Sequence, residues 1–197
     1  MSSTTIERPV EASSTRERAV EEADALLVAG GYKAMSLDAV AQAVGIRKAS
    51  LYHHFPGGKD ELFVAVVERR TAEDGQRVRD VVADLPDTFA RLRAISHYFN
   101  SVAERRPYHA LRDMAAHLPA QHRDWVMKTV DERVMAPVRA VIDQGIRCRQ
   151  LRRCDPELAA LAFVTLMAAM GKIAAADPRR AELSDFIVDL YADGLRR

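Results

Sequence analysis

The chain has 197 residues, of which 48% are hydrophobic and 29% charged, and its formal net charge is +1. That length and balance specify a globular chain able to bury a core of its own and exclude wholesale disorder. The longest nearly apolar run, Leu158–Gly171, is interrupted by Thr165 and falls short of the ~20 residues a membrane span needs.

Apolar residues recur at i, i+3, i+4 almost throughout and alternation does not persist, so the expected fold is all-α with about nine helices. Residues 1–12 hold Pro9 and no apolar period, and read as a disordered arm. Ser14 and Glu17 fit a capping box that opens a helix running to about Ala29, with Ala19, Val20, Ala23, Leu26 and Leu27 as its stripe. Gly30-Gly31 should stop it. Ser36 caps a short helix, Leu37 to Ala43, with Asp38 in the first turn where the helix dipole favours negative charge. Gly45 punctuates, a second short helix spans Lys48 to His54, and Pro56-Gly57-Gly58 ends it. A longer helix follows from Lys59 to about Ala83. Pro86-Asp87 opens the next, which carries Phe89, Leu92, Ile95, Phe99 and Val102 on one face. Pro107 suits the first turn of a short helix, and Pro119 that of a long one ending near Gly145, which Pro137 should kink. Asp155-Pro156-Glu157 and Asp177-Pro178 start the last two helices, and Gly194 ends the second.

The segment Ser36–Phe55, SLDAVAQAVGIRKASLYHHF, is the most informative stretch. Two short helices joined through a glycine-bearing turn have the layout of a helix-turn-helix. Ala39, Val40, Val44, Ile46 and Leu51 can form its small core, which leaves Lys48, Ser50, Tyr52 and His53 pointing outward. A cation, a hydroxyl and aromatic rings suit the reading of a DNA groove. Periodicity alone equally allows a helical hairpin with a solvated face. Charge is locally positive: Gly31–Lys59 holds Lys33, Arg47, Lys48 and Lys59 against Asp38 alone.

Catalytic patterns are weak by comparison. None of the six histidines forms the i, i+4 pair with a nearby carboxylate that a helical zinc site needs, so neither a metal nor a cofactor is expected. Gly57-Gly58-Lys59 lacks the strand and first glycine of a phosphate loop, and reads as a turn with a phosphate contact. Cys148 and Cys154 sit among arginines, an arrangement open both to a redox switch and to two ordinary thiols. The first residues carry no apolar signal core, so the expected location is the cytoplasm.

Residues 14–69 resemble the DNA-binding domain of the tetracycline-repressor (TetR-like) family of bacterial regulators. The resemblance is carried by Gly30-Gly31-Tyr32, Ser36-Leu37 with Val40-Ala41, Val44-Gly45-Ile46, Ser50-Leu51-Tyr52-His53-His54-Phe55, and Lys59 with Leu62 and Phe63. Two positions depart from the family pattern: Arg47 stands where a serine often caps the recognition helix, and Ala49 replaces a common glycine. The resemblance implies DNA contacts from Ser36, Leu37, Arg47, Lys48, Ala49, Ser50, Tyr52, His53, His54 and Lys59. Ser36 and Leu37 would hold a phosphate at a helix N-terminus, and Lys59 would clamp another. Tyr32 and Phe55 are expected to pack the small domain.

The expected function is a repressor that binds a palindromic operator in double-stranded DNA as a homodimer and is released by a small, mostly apolar effector. An activator or nucleoid-type binder without an effector is the alternative, and a helical enzyme or carrier a more distant one. The division expected is an arm at 1–12, a DNA-binding domain at 13–58, a connecting helix at 59–84, and a ligand-binding and dimerisation domain at 85–197. The helix after Asp155 is apolar on all sides and needs cover on all sides. Leu161, Thr165, Ala168, Gly171, Ala175, Phe186 and Leu190 are therefore the candidate dimer surface. Phe99, His109, Leu111, Met114, His117, Trp125, Met127, Phe163 and Met167 are the candidate effector lining, with the two histidines as its polar contacts.

Overall fold

The computed structural model describes residues 14–102, 114–169, 177 and 179–196. The expected arm, Pro107, His109, Leu111, Gly171 and Ala175 lie outside the described residues. The fold is all-α, and the chain divides into two compact units, Met1–Leu62 and Phe63–Arg197.

The first unit is built by local signals. Helix α1 (Thr15–Ala34) opens on the capping box: Ser14 Oγ accepts from the Glu17 N–H at 3.2 Å, and the Glu17 carboxylate accepts from the Ser14 N–H at 2.7 Å. Its last turn is reached across a kink at Gly30 and Gly31, where Gly31 has φ 69°, so the glycine pair interrupts the helix without ending it. Helix α2 (Leu37–Val44) is capped by Ser36, whose Oγ accepts from the Ala39 N–H at 3.1 Å, and stopped by Gly45 at φ 76°. Helix α3 (Lys48–His54) follows, and Val40, Val44, Leu51 and Phe55 are buried where the short helices meet α1. Arg18 donates to the Val44 carbonyl at 2.7 Å, which satisfies an orphan acceptor at the end of α2. Gly58, at φ 69°, turns the chain into α4 (Gly58–Val82).

The second unit continues α4 and adds α5 (Thr88–Val102), α6 (Ala120–Val130), a π-helical turn (Asp131–Met135), α7 (Ala136–Arg147), α8 (Pro156–Ala169) and α9 (Arg179–Leu195). Its core joins Val78 of α4 with Leu92, Ile95 and Phe99 of α5, Val138 and Ile142 of α7, Phe163 and Met167 of α8, and Val188 and Tyr191 of α9. Tyr191 donates to the Ala159 carbonyl at 2.7 Å, and the Ser96 and Ser184 hydroxyls meet at 2.7 Å, so these polar groups inside the core are paired. At the surface Arg93 reaches Asp185 and Asp189. His97, then Arg93, holds the Asp185 carboxyl below its usual range.

The long helix ends at Arg147, just beyond Gly145. That glycine is a packing position: a Cβ there would come within 2.7 Å of Thr88 and 3.0 Å of Leu151. Pro137, where the pattern leads one to expect a kink, stands in the first turn of α7. A π turn immediately precedes it, and widening the helix is one way to absorb a ring that clashes with the carbonyl four residues back. That carbonyl belongs to Arg133, and Gly75 of α4 makes room for it, since a Cβ on Gly75 would overlap the Arg133 oxygen. The inner face of α4 is also polar in its middle. Arg70, Thr71 and Asp74 are buried, Thr71 donates to the Val67 carbonyl at 2.8 Å, and Tyr98 of α5 donates to Asp74.

Candidate nucleic-acid interface

Leu51 anchors α3 to the core of the first unit, and the helical period then turns Arg47, Lys48, Ala49, Ser50, Tyr52 and His53 outward to solvent. His54 is half-buried, with its ring edge-on to His53 at 5.7 Å. The outward set expected from the pattern is thus brought together on one short helix. Leu37 differs: its side chain is buried, so only its backbone N–H is available to a phosphate. The Ser36 oxygen accepts the cap hydrogen bond, while its O–H can still donate. Arg47 occupies the N-cap of α3 without any side-chain cap bond, which leaves the first N–H groups of α3 and a cation at the same end.

Sequence reasoning missed a residue here. The Lys48 ammonium lies 2.8 Å from the Asp38 carboxylate, and both are exposed. Asp38 hydrogen-bonding raises the Lys48 pKa. Tyr52 lies beside the Gly58 turn: the Cβ that Gly58 lacks would lie 3.7 Å from its ring and 3.8 Å from Leu37. At the start of α4, Lys59 sits 4.0 Å above the Tyr32 ring, and Tyr32 donates to Asp60. Burial lowers the Lys59 pKa, and burial, followed by the bond to Asp60, raises that of Tyr32. The ring holds the ammonium without neutralising it, so its charge stays available to a phosphate. Phe55 is fully buried beneath the Arg16 guanidinium at 5.1 Å.

The second unit distributes the candidate effector residues. Phe99, Phe163 and Met167 lie in its core cluster, while Met114 and Trp125 are half-buried. His117 and Met127 face solvent, because the buried positions beside them are Leu118 on one side and Val126 and Thr129 on the other. A cleft of about 400 Å³ does exist, but Arg139, Asp143, Asp155 and Glu157 line it and none of the candidate residues does. On α8 and α9, Leu158 is 64% exposed, Leu161 46%, Leu166 38%, and Phe186 and Leu190 60% each. Thr165 is exposed and Ala168 half-buried. Leu158 and Leu166 extend the candidate dimer surface, and they share the helical spacing of Leu161 and Thr165. Among the described residues no helix is long and apolar enough to cross a membrane, and no group of three or more His, Cys, Asp or Glu is placed to hold a metal.

Residues 19–66 match the model of the family described as bacterial regulatory proteins, tetR family. A TetR family transcriptional regulator from Thermus thermophilus, PfmR, superposes with a TM-score of 0.71 at 26% identity, covering 94% of this chain and all of that one. The family match is thus confined to a quarter of the chain near its N-terminus, while the likeness of fold runs along nearly all of it. The HTH-type transcriptional regulator LmrA of Bacillus subtilis is 30% identical over 80 residues, 41% of this chain, and the chain spans only 43% of that relative's length. A structure of AibR in complex with isovaleryl coenzyme A and operator DNA shares the fold, with a TM-score of 0.71 at 21% identity over 90% of this chain and 97% of that one. Residues 19–66 are similar to a TetR-type DNA-binding domain, and α2 and α3 both lie within that match.

Lys59 is the clearest phosphate candidate of this TetR-like domain. Lys59→Ala should weaken binding to every duplex alike and flatten the dependence of log K on log salt by about 0.9. Fluorescence anisotropy over a range of salt concentrations measures it, and a loss confined to one DNA sequence would show that Lys59 reads a base.

Proposed function

We propose that the protein is a repressor that binds a palindromic operator as a homodimer in the cytoplasm and is released by a small, mostly apolar effector. Its activity is binding rather than catalysis. The observation that carries this reading is the exposed set Lys48, Ser50, Tyr52 and His53 on a helix held by the buried Leu51. Residues 13–58 read the DNA, 59–84 connect, and 85–197 dimerise and take the effector. A helix-turn-helix of this size offers little contact area alone, and a symmetric pair doubles it. The bare apolar face of α8 and α9 supports the pairing, since it gives a second copy something to cover.

Effector release follows from the course of α4, which carries the chain from the first unit into the second. An effector among Phe99, Phe163 and Met167 would act on α4 through the contacts of that core, and Tyr98 and Asp74 offer a polar end to such a site. The AibR complex supports the general scheme, because that protein takes both an acyl thioester and operator DNA. A 100-fold release needs about 2.7 kcal/mol of coupling, inside the usual range for two-site proteins.

The test is anisotropy on DNA flanking the chain's own coding region. Alanine at Lys48 or Tyr52 should cost about 1–3 kcal/mol of specific binding with the fold intact. Lipophilic compounds that quench Trp125 should bind more weakly with operator present, by the same factor as they weaken DNA. Unchanged operator affinity in both alanine variants would overturn the recognition-helix reading. A ligand indifferent to DNA would leave a regulator without an effector.

A further inference from the structure

Asp38 is out of place on a surface that meets phosphates. It is 72% exposed in its side chain, it stands in the first turn of α2, and it is the one carboxylate between Gly31 and Lys59. Its effect on the helix is favourable but small and could be had from an acidic residue elsewhere in the turn. What singles it out is its partner, the first residue of the recognition helix, ten positions away across the turn.

We propose that Asp38 is a specificity-determining residue that restrains Lys48 and penalises binding to phosphate alone. The inference rests on the DNA-reading role of α3. An ammonium has three N–H donors. With one of them on Asp38, Lys48 keeps two for acceptors on a base edge, and the carboxylate fixes the direction in which they point. A guanine O6 and N7 satisfy that arrangement without breaking the ion pair. Random DNA offers mainly phosphates. A phosphate taken up by Lys48 must either approach the Asp38 carboxylate 2.8 Å from the ammonium or draw Lys48 away and leave that carboxylate bare before a polyanion. Like charges brought together in this way discriminate against the wrong partner more than they strengthen the right one.

The full-length chain provides the test, with a duplex selected by the wild-type protein from a random pool and a scrambled duplex of equal length. Asp38→Asn removes the charge and keeps the size. It should tighten binding to the scrambled duplex, steepen its salt dependence by about 0.9 as Lys48 gains a phosphate, and cut the selected-to-scrambled ratio about tenfold. Asp38→Glu, which keeps the carboxylate, should retain most of the ratio. In a Lys48→Ala background Asp38→Asn should change the ratio little, because the residue acts through Lys48. An equal gain on both duplexes, or the same effect with Lys48 absent, would overturn the proposal while the DNA-reading role stands. A wild-type protein that prefers no duplex would overturn that role, and this inference with it.

Discussion

Arginine at both Phe186 and Leu190 is expected to give a folded monomer that has lost at least 100-fold of its operator affinity, or about 2.7 kcal/mol. Both side chains are 60% exposed in the single chain, so charged replacements there should not disturb its core. The cost arises only when a second copy covers them, and an unpaired charge buried in that way costs about 3–5 kcal/mol. Leu158, Leu161 and Leu166 of α8 lie exposed as well and would share the same cover. Sedimentation separates the species, circular dichroism checks the helices, and anisotropy measures the DNA. A variant that still sediments as the wild type, or a monomer that binds operator at full strength, would refute the pairing.

Gly75→Ala should destabilise the second unit by about 3 kcal/mol, the upper end of overpacking costs, and lower its melting temperature by roughly 10 °C. The sign is the informative part. In an exposed helix interior the same change stabilises by about 1 kcal/mol, because alanine is the better helix former. At Gly75 the added methyl would meet the Arg133 carbonyl, a backbone atom at the π turn that cannot swing aside. Gly194, which has nothing within 4 Å of a built Cβ, is the control. Gly194→Ala should be neutral or gain up to ~1 kcal/mol. Thermal unfolding of the two variants beside the wild type decides it, and a Gly75→Ala protein as stable as Gly194→Ala would contradict the packing described.

These two glycines also mark where the sequence stops being legible. Helix starts at Ser14, Ser36 and Asp155 depend on groups two or three residues away, and the spacing of Ser14 and Glu17 alone predicts the bonds they make. The same locality makes α2 and α3 and their outward residues readable, since Leu51 and the helical period determine the rest. Contacts between distant segments leave no such trace. Nothing in the neighbourhood of Gly75 announces Arg133, and the π turn shows only as a proline inside a helical pattern. Asp38 reads as a favourable first-turn charge until the turn at Gly45 brings it to Lys48.

Hydropathy fails in a different way on α8 and α4. Apolar residues all round α8 announce that it must be covered, but not which side its own unit covers, so Leu158 and Leu166 escape notice. Arg70, Thr71 and Asp74 have the composition of a solvated face. The Tyr98 hydroxyl, contributed by another helix, explains how part of that stretch is buried.

Paired copies of α3 are expected to read a symmetric DNA site, and selection of duplexes from a random-sequence pool by the whole protein decides it. The recovered duplexes should carry an inverted repeat whose half-sites are centred about 34–36 Å apart, one turn of DNA, or a multiple of it, and whose recovery is lost with Lys48→Ala and Tyr52→Ala combined. Recovery of a single asymmetric site, of no consensus at all, or of the same repeat by that double variant would contradict it.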